Sequence, residues 1–223
     1  MKILIAVPTF ENIYPDVFKA IYELDETYAS DQDPVIPNEY VFEYIRGYDV
    51  ATARNRIVIT AQQHNADYVL MVDNDVIIPP NTIELFLDGA VDVCLGLYPH
   101  RDTDNIYRGK TCLCKLYDDH GNLHYNYPLE SEYTAEEVIA FDNAGVYKYR
   151  IHGGGMGCAF IKTSVFDKID YPWYDWVNYD DKNRGMLSED LYFCEQCRKH
   201  NIPIYMDTRV RCKHILRHAQ EVI

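Results

Sequence analysis

Two aspartates one residue apart, Asp73 and Asp75, follow directly on the apolar run Tyr68-Val69-Leu70-Met71-Val72. Two carboxylates this close raise each other's proton affinity unless a cation sits with them. Hard oxygen ligands of this kind suit Mg²⁺ or Mn²⁺, above all where substrate phosphates complete the shell. A plain acidic turn is the alternative, since Asp and Asn are common in turns. The apolar run and the symmetric Asp-Asn-Asp favour the metal. His214, in "CKHI", offers a lone third ligand.

A second acidic pair, Glu189-Asp190, follows Ser188 at the predicted start of a helix. The helix dipole alone favours acids there. The chemical reading is a general base aimed into a cleft, taking the proton of an acceptor hydroxyl. Cys194, Cys197, Cys212 and His214 have the types of a structural zinc set. The first pair lies inside the predicted helix, however, where cysteines more often pack as small apolar residues. "GGGMG" (153–157) lets a sugar or phosphate approach the backbone, or is simply a turn into a strand. The loop "YPWYDWVNY" (171–179) carries both tryptophans, Trp173 and Trp176. They are read either as stacking faces for sugar rings or as anchors of the loop. Arg108-Gly109-Lys110-Thr111 resembles the end of a phosphate loop, but Asp104 stands where its first glycine is required.

These residues need a frame. Residues 2–7, 39–45, 68–72 and 92–98 read as strands. Residues 14–24, 49–65 and 80–88 between them read as helices. Alternation of this kind predicts an α/β fold with a mostly parallel central sheet flanked by helices. From 99 to 149 the segments are short and polar, and are read as antiparallel strands and loops with a hairpin turn at "DDHGN" (118–122). A helix over 188–201 and a late strand at "IPIYMDT" complete the pattern. No linker or repeat divides the 223 residues, so 1–223 is read as one domain.

The net charge of −14 argues against nucleic acid and anionic lipid as partners. No apolar run approaches the roughly 20 residues of a membrane span. The opening "MKILIAVPTFEN" is too short for a secretory signal and reads as a strand. Seven cysteines in such a chain are expected to be free thiols, and a cytoplasmic location is expected.

Taken in order, "AVPTFE", "ATARNRIVITA", "DYVLMVDND", "GGGMGCAFIK", "SEDLYFCEQCRKHNIPIYMD" and "CKHI" resemble a family-2-type glycosyltransferase of GT-A fold. The resemblance runs from residue 3 to about 215. It implies a nucleotide-binding half over 1–98 and an acceptor-binding and catalytic half over 99–223. Pro8, Thr9, Glu11 and Arg54 would lie by the nucleotide, with Asp73. Asp73, Asp75 and His214 would hold Mn²⁺ or Mg²⁺ against a donor diphosphate, most simply that of a UDP-sugar. Asp190, with Glu189 beside it, would be the base. Gly154 and Gly155 would face donor sugar and acceptor, and the loop 171–187 would cover the acceptor, a carbohydrate or other hydroxyl compound. Three alternatives remain. A nucleotidyltransferase needs a glycine- and arginine-rich loop after the first strand, which "PTFENIYP" lacks. A non-catalytic carbohydrate- or protein-binding module on the same fold would not need the acids. A zinc-stapled interaction domain would need the cysteines.

Overall fold

The computed structural model describes residues 1–24, 39–99, 113–114, 135–178 and 186–215. The loop at 29–38, the 108–111 motif, the turn at 118–122 and residues 179–185 of the aromatic loop lie outside these.

In chain order the elements are β1 (Lys2–Thr9), α1 (Pro15–Tyr22), β2 (Glu39–Arg46), α2 (Val50–Gln63), β3 (Tyr68–Val72) and β4 (Val76–Ile77). Next come α3 (Thr82–Leu87), β5 (Val93–Leu97), β6 (Leu113–Cys114), α4 (Ala135–Asn143), β7 (Lys148–Ile151) and β8 (Gly153–Gly154). The chain continues through β9 (Cys158–Lys162), β10 (Val177–Asn178), β11 (Met186–Leu187), α5 (Glu189–Lys199), β12 (Ile204–Arg211) and β13 (Lys213–His214).

Seven strands form one sheet in the order β2-β1-β3-β9-β5-β12-β7. β2, β1, β3, β5 and β12 run the same way; β9 and β7 run against them. The expected mostly parallel α/β sheet is therefore present. Strands covered on both faces read as unbroken apolar runs. Ile3 to Val7 in β1 and Val69 to Val72 in β3 are buried throughout. On α2, Ala51, Ala53, Ile57, Val58 and Ala61 are also buried. Its start is fixed by Asp49, whose side chain accepts from the Thr52 N–H at 3.2 Å.

One segment differs from the sequence-based expectation. Within the stretch expected to hold only short strands and loops, α4 is a helix, ended by Gly145 at φ +71°. Glycine takes that left-handed conformation without steric cost, which stops the helix there. Phe141 near its end packs on Tyr149 of β7, with ring centroids 4.5 Å apart. No helix among the described residues is long and apolar enough to cross a membrane.

Strand direction decides what shares an edge. The carboxyl ends of β1, β3, β5 and β12 point one way, and the amino end of antiparallel β9 returns to the same edge. Thr9, Asp73, Tyr98, Gly157 and the segment leading to His214 are thereby brought to one edge of the sheet. Ligands of open α/β sheets bind along such an edge.

Candidate active site

A cleft of about 290 Å³ opens at this edge, lined by Pro8, Thr9, Tyr48, Asp49, Asp73 and Asp75, among others. Glu11 is exposed and does not line it. Asn74, between the two aspartates, has a fixing role that its type alone did not reveal. Its side-chain amide donates to Thr9 Oγ1 and to the Asn12 carbonyl, each at 3.0 Å. The Asp73–Asp75 turn is thus tied to the end of β1.

The two carboxylates have separate partners. Asp73 faces Arg54: Nη2 lies 3.1 Å from Oδ1 and 3.4 Å from Oδ2. The same nitrogen lies 3.3 Å from Asp190 Oδ1, and Arg54 Nε lies 3.5 Å from Glu189 Oε1. Nη1 donates to the Met156 carbonyl at 3.4 Å. Arg54 is only 1% exposed and does not line the cleft. Three carboxylates hold its guanidinium in the interior, directly behind Asp73 of the cleft lining. One cation among three acids leaves an excess of negative charge. Burial, only partly offset by Arg54, pushes the Asp73 carboxyl up, and Asp75 and Glu189 add to the rise. Burial likewise pushes the Asp190 carboxyl well up, against the pull of Arg54 and with Glu189 adding repulsion. Buried oxygens Asp73 Oδ1 and Asp190 Oδ1 accept no hydrogen bond, being within ion-pair range of Arg54 but poorly aligned with its N–H bonds.

Asp75 meets His214. The short pairing of β13 with β4 sets His214 opposite Val76, and the Ile215 N–H donates to the Asp75 carbonyl at 2.8 Å. His214 Nδ1 lies 3.0 Å from the Pro99 carbonyl, which can only accept, so Nδ1 carries the proton. In the neutral ring Nε2 is then a lone pair, and it lies 3.5 Å from Asp75 Oδ2. Two acceptors face each other. A proton or a metal ion between them relieves the repulsion, and a backbone carbonyl on the far nitrogen is the usual support of a metal-bound histidine.

Asp75 and His214 have the donor types that suit Mg²⁺ or Mn²⁺, while the Asp73 carboxylate is turned to Arg54. They do not form a finished cage: among the described residues no three His, Cys, Asp or Glu side chains are grouped to hold an ion. Oxygens of a bound substrate would have to complete the shell. The zinc set is likewise not assembled among the described residues. Cys194, Cys197 and Cys212 are buried, and Cys194 Sγ is 3.8 Å from the Gly154 carbonyl.

Glu189 and Asp190 open α5 as expected. Ser188 occupies the cap position, but its side chain makes no capping bond. Gly154 is buried in β8, and Gly155 lies beside Asp190, whose Oδ2 would be 3.7 Å from a Cβ at that glycine. Trp173 is buried, its indole N–H donating to the Phe166 carbonyl at 2.9 Å. It anchors the loop and offers no open stacking face, which corrects the sugar-stacking expectation for this residue. Trp176 is 39% exposed.

Asn55, next to Arg54, was not singled out from sequence. Its Oδ1 accepts from the N–H groups of Trp173 and Tyr174 at 3.0 and 3.2 Å, and its Nδ2 donates to the Tyr174 carbonyl at 2.7 Å. Tyr98 was also missed; it packs edge-on against His214. Its place after an apolar strand, directly before Pro99, was the only available signal.

No protein-family model matches the chain, and no curated protein matches it in sequence. Solved structures do resemble it. A197 from STIV is 18% identical with a TM-score of 0.58, over 97% of this chain and 86% of that one. A structure of GalNAc-T7 with UDP, GalNAc and Mn²⁺ is 11% identical with a TM-score of 0.55, over 97% of this chain. The match spans only 44% of the GalNAc-T7 chain. At such identities the likeness is one of fold, and the fold is α/β of GT-A type.

Proposed function

We propose that the chain is a metal-dependent glycosyltransferase that moves a sugar from a nucleotide-sugar donor, most simply a UDP-sugar, to an acceptor hydroxyl. The observation that carries the reading is the opposed pair Asp75 Oδ2 and His214 Nε2, of which Asp75 lines the cleft at the ends of β1 and β3. The neighbour that binds UDP, GalNAc and Mn²⁺ on the same fold supports it.

In this account Pro8 and Thr9 border the nucleoside. Asp73, Asp75 and His214 hold Mn²⁺ or Mg²⁺, which when bound offsets the charge of the donor diphosphate and stabilises its departure. A cation there also explains how a protein of net charge −14 retains a polyanion. Asp190 accepts the proton of the acceptor hydroxyl. Burial raises its proton affinity, the direction that makes a carboxylate a stronger general base. Arg54 supplies the positive charge that lets Asp73 and Asp190 ionise near one another. Gly155 borders Asp190, and the exposed Trp176 offers a face to the acceptor.

The test is turnover. Purified protein with Mn²⁺ and a panel of nucleotide sugars is predicted to release free nucleoside diphosphate, faster with acceptor sugars present. No release from any donor, together with carbohydrate binding that ignores EDTA, would instead identify a binding module.

A further inference from the structure

Tyr98 lies just past the end of β5 and touches the site from behind. Its ring meets the His214 imidazole edge-on, with centroids 5.6 Å apart and planes at 87°. The next residue, Pro99, supplies the carbonyl that takes His214 Nδ1 at 3.0 Å. Two consecutive residues therefore contact the same imidazole, one by a perpendicular ring contact and one at its far nitrogen. The Tyr98 hydroxyl points elsewhere. It accepts the Gly157 N–H at 2.9 Å, and the Gly157 carbonyl in turn accepts the Asp73 N–H at 2.9 Å. Tyr98 is 6% exposed, so both contacts are sheltered from water.

The two neighbouring glycines are shaped by this ring. A Cβ at Gly157 would come within 2.8 Å of the Tyr98 hydroxyl oxygen. One at Gly155 would collide with the same oxygen while lying 3.7 Å from Asp190 Oδ2. The glycines at 155 and 157 are therefore needed for the approach of a tyrosine, in addition to any room they leave for substrate.

We propose that Tyr98 is a positioning residue that sets the metal-side histidine and the Gly155–Gly157 segment relative to one another. The inference rests on the metal-nucleotide reading of the site. It adds that the orientation of His214 is controlled from β5, and that the hydroxyl of Tyr98 joins that control to the backbone of Asp73. Supports of metal-binding histidines typically change metal affinity by about 10–100-fold when removed.

The experiment is a Mn²⁺ titration read by electron paramagnetic resonance, which counts free ion, with UDP present. It uses the wild-type chain, Tyr98→Phe, Gly155→Ala and the double variant, with melting temperatures measured in parallel. Tyr98→Phe is predicted to weaken Mn²⁺ binding about tenfold. Gly155→Ala is predicted to do at least as much. Because Tyr98→Phe removes the colliding oxygen, the double variant is predicted to bind no worse than Tyr98→Phe alone, a non-additivity that marks direct contact. A purely structural tyrosine would lower the melting temperature and leave Mn²⁺ affinity within about twofold of wild type, which would overturn the proposal while leaving the site intact. Losses that simply add in the double variant would also overturn it. Failure of the wild-type chain to bind Mn²⁺ with UDP would overturn the metal reading itself, and this inference with it.

Discussion

Arg54 Nη2 lies 3.3 Å from Asp190 Oδ1, and the same nitrogen lies 3.1 Å from Asp73 Oδ1. A single buried cation thus links the first acid of the Asp-Asn-Asp turn to the acid at the start of α5. Removing one partner of a buried charge network costs roughly 3–5 kcal/mol, because the remaining charges lose their compensation. Arg54→Met is therefore predicted to lose at least about 3 kcal/mol of stability in urea unfolding at pH 7, or to fail to fold. Arg54→Lys keeps the charge but not the planar fork, and should fall between. A loss in Arg54→Met below about 1 kcal/mol would remove Arg54 as the organiser of the cluster.

Asp190 makes opposite demands on stability and catalysis. Its folded carboxyl is raised above the ordinary value, so the folded state keeps a proton that the unfolded chain releases. The associated stability is intact below the unfolded value of about 4 and is lost as pH rises through the folded value. Asp190→Asn cannot ionise, so it should match wild type near pH 4 and melt at an equal or higher temperature by pH 8. A wild-type melting temperature that rises with pH relative to Asp190→Asn would contradict the sign.

The same variant is predicted to lose transfer by at least about a hundredfold, the usual size of general-base catalysis, with nucleotide binding unchanged. In the wild-type protein the rate should rise with pH through the raised carboxyl value. Retention of full transfer activity by Asp190→Asn would exclude it as the base.

Asn55 fastens the aromatic loop to α2 through Trp173 and Tyr174. Tyr174 then stacks on Phe193 of α5, with centroids 5.0 Å apart. Asn55→Ala leaves buried backbone groups unpaired and should cost about 2–3 kcal/mol, a fall in Tm of roughly 5–10 °C. Since the loop borders α5, acceptor KM should rise more than donor KM. An unchanged Tm would mean that the loop is held elsewhere.

Much of this frame was legible because its signals are local. Unbroken apolar runs gave β1, β3 and β5, and the helical spacing of Ala51, Ile57, Val58 and Ala61 gave α2. Adjacency in sequence brought out Asp73 with Asp75 and Glu189 with Asp190. Partnership across the fold was not legible. Arg54 reaches Glu189 across 135 positions, a contact set by the sheet order and by no local pattern. The antiparallel insertion of β9 between β3 and β5 was equally hidden, yet it brings Gly157 to Asp73. Trp173 illustrates the limit of residue type alone: an indole in a loop suits stacking or anchoring, and only its bond to Phe166 decides.

The central claim is that the Asp75–His214 pair binds a divalent cation together with a nucleoside diphosphate. Its most direct test is a thermal-shift panel of UDP, GDP, CDP and ADP, each with and without Mn²⁺, on wild type and Asp75→Asn. A ligand that binds the folded state raises the melting temperature by mass action. The account predicts a rise with one diphosphate, UDP first, that requires Mn²⁺ and disappears in Asp75→Asn. No rise with any diphosphate at millimolar concentration, or a rise unchanged in Asp75→Asn, would contradict it.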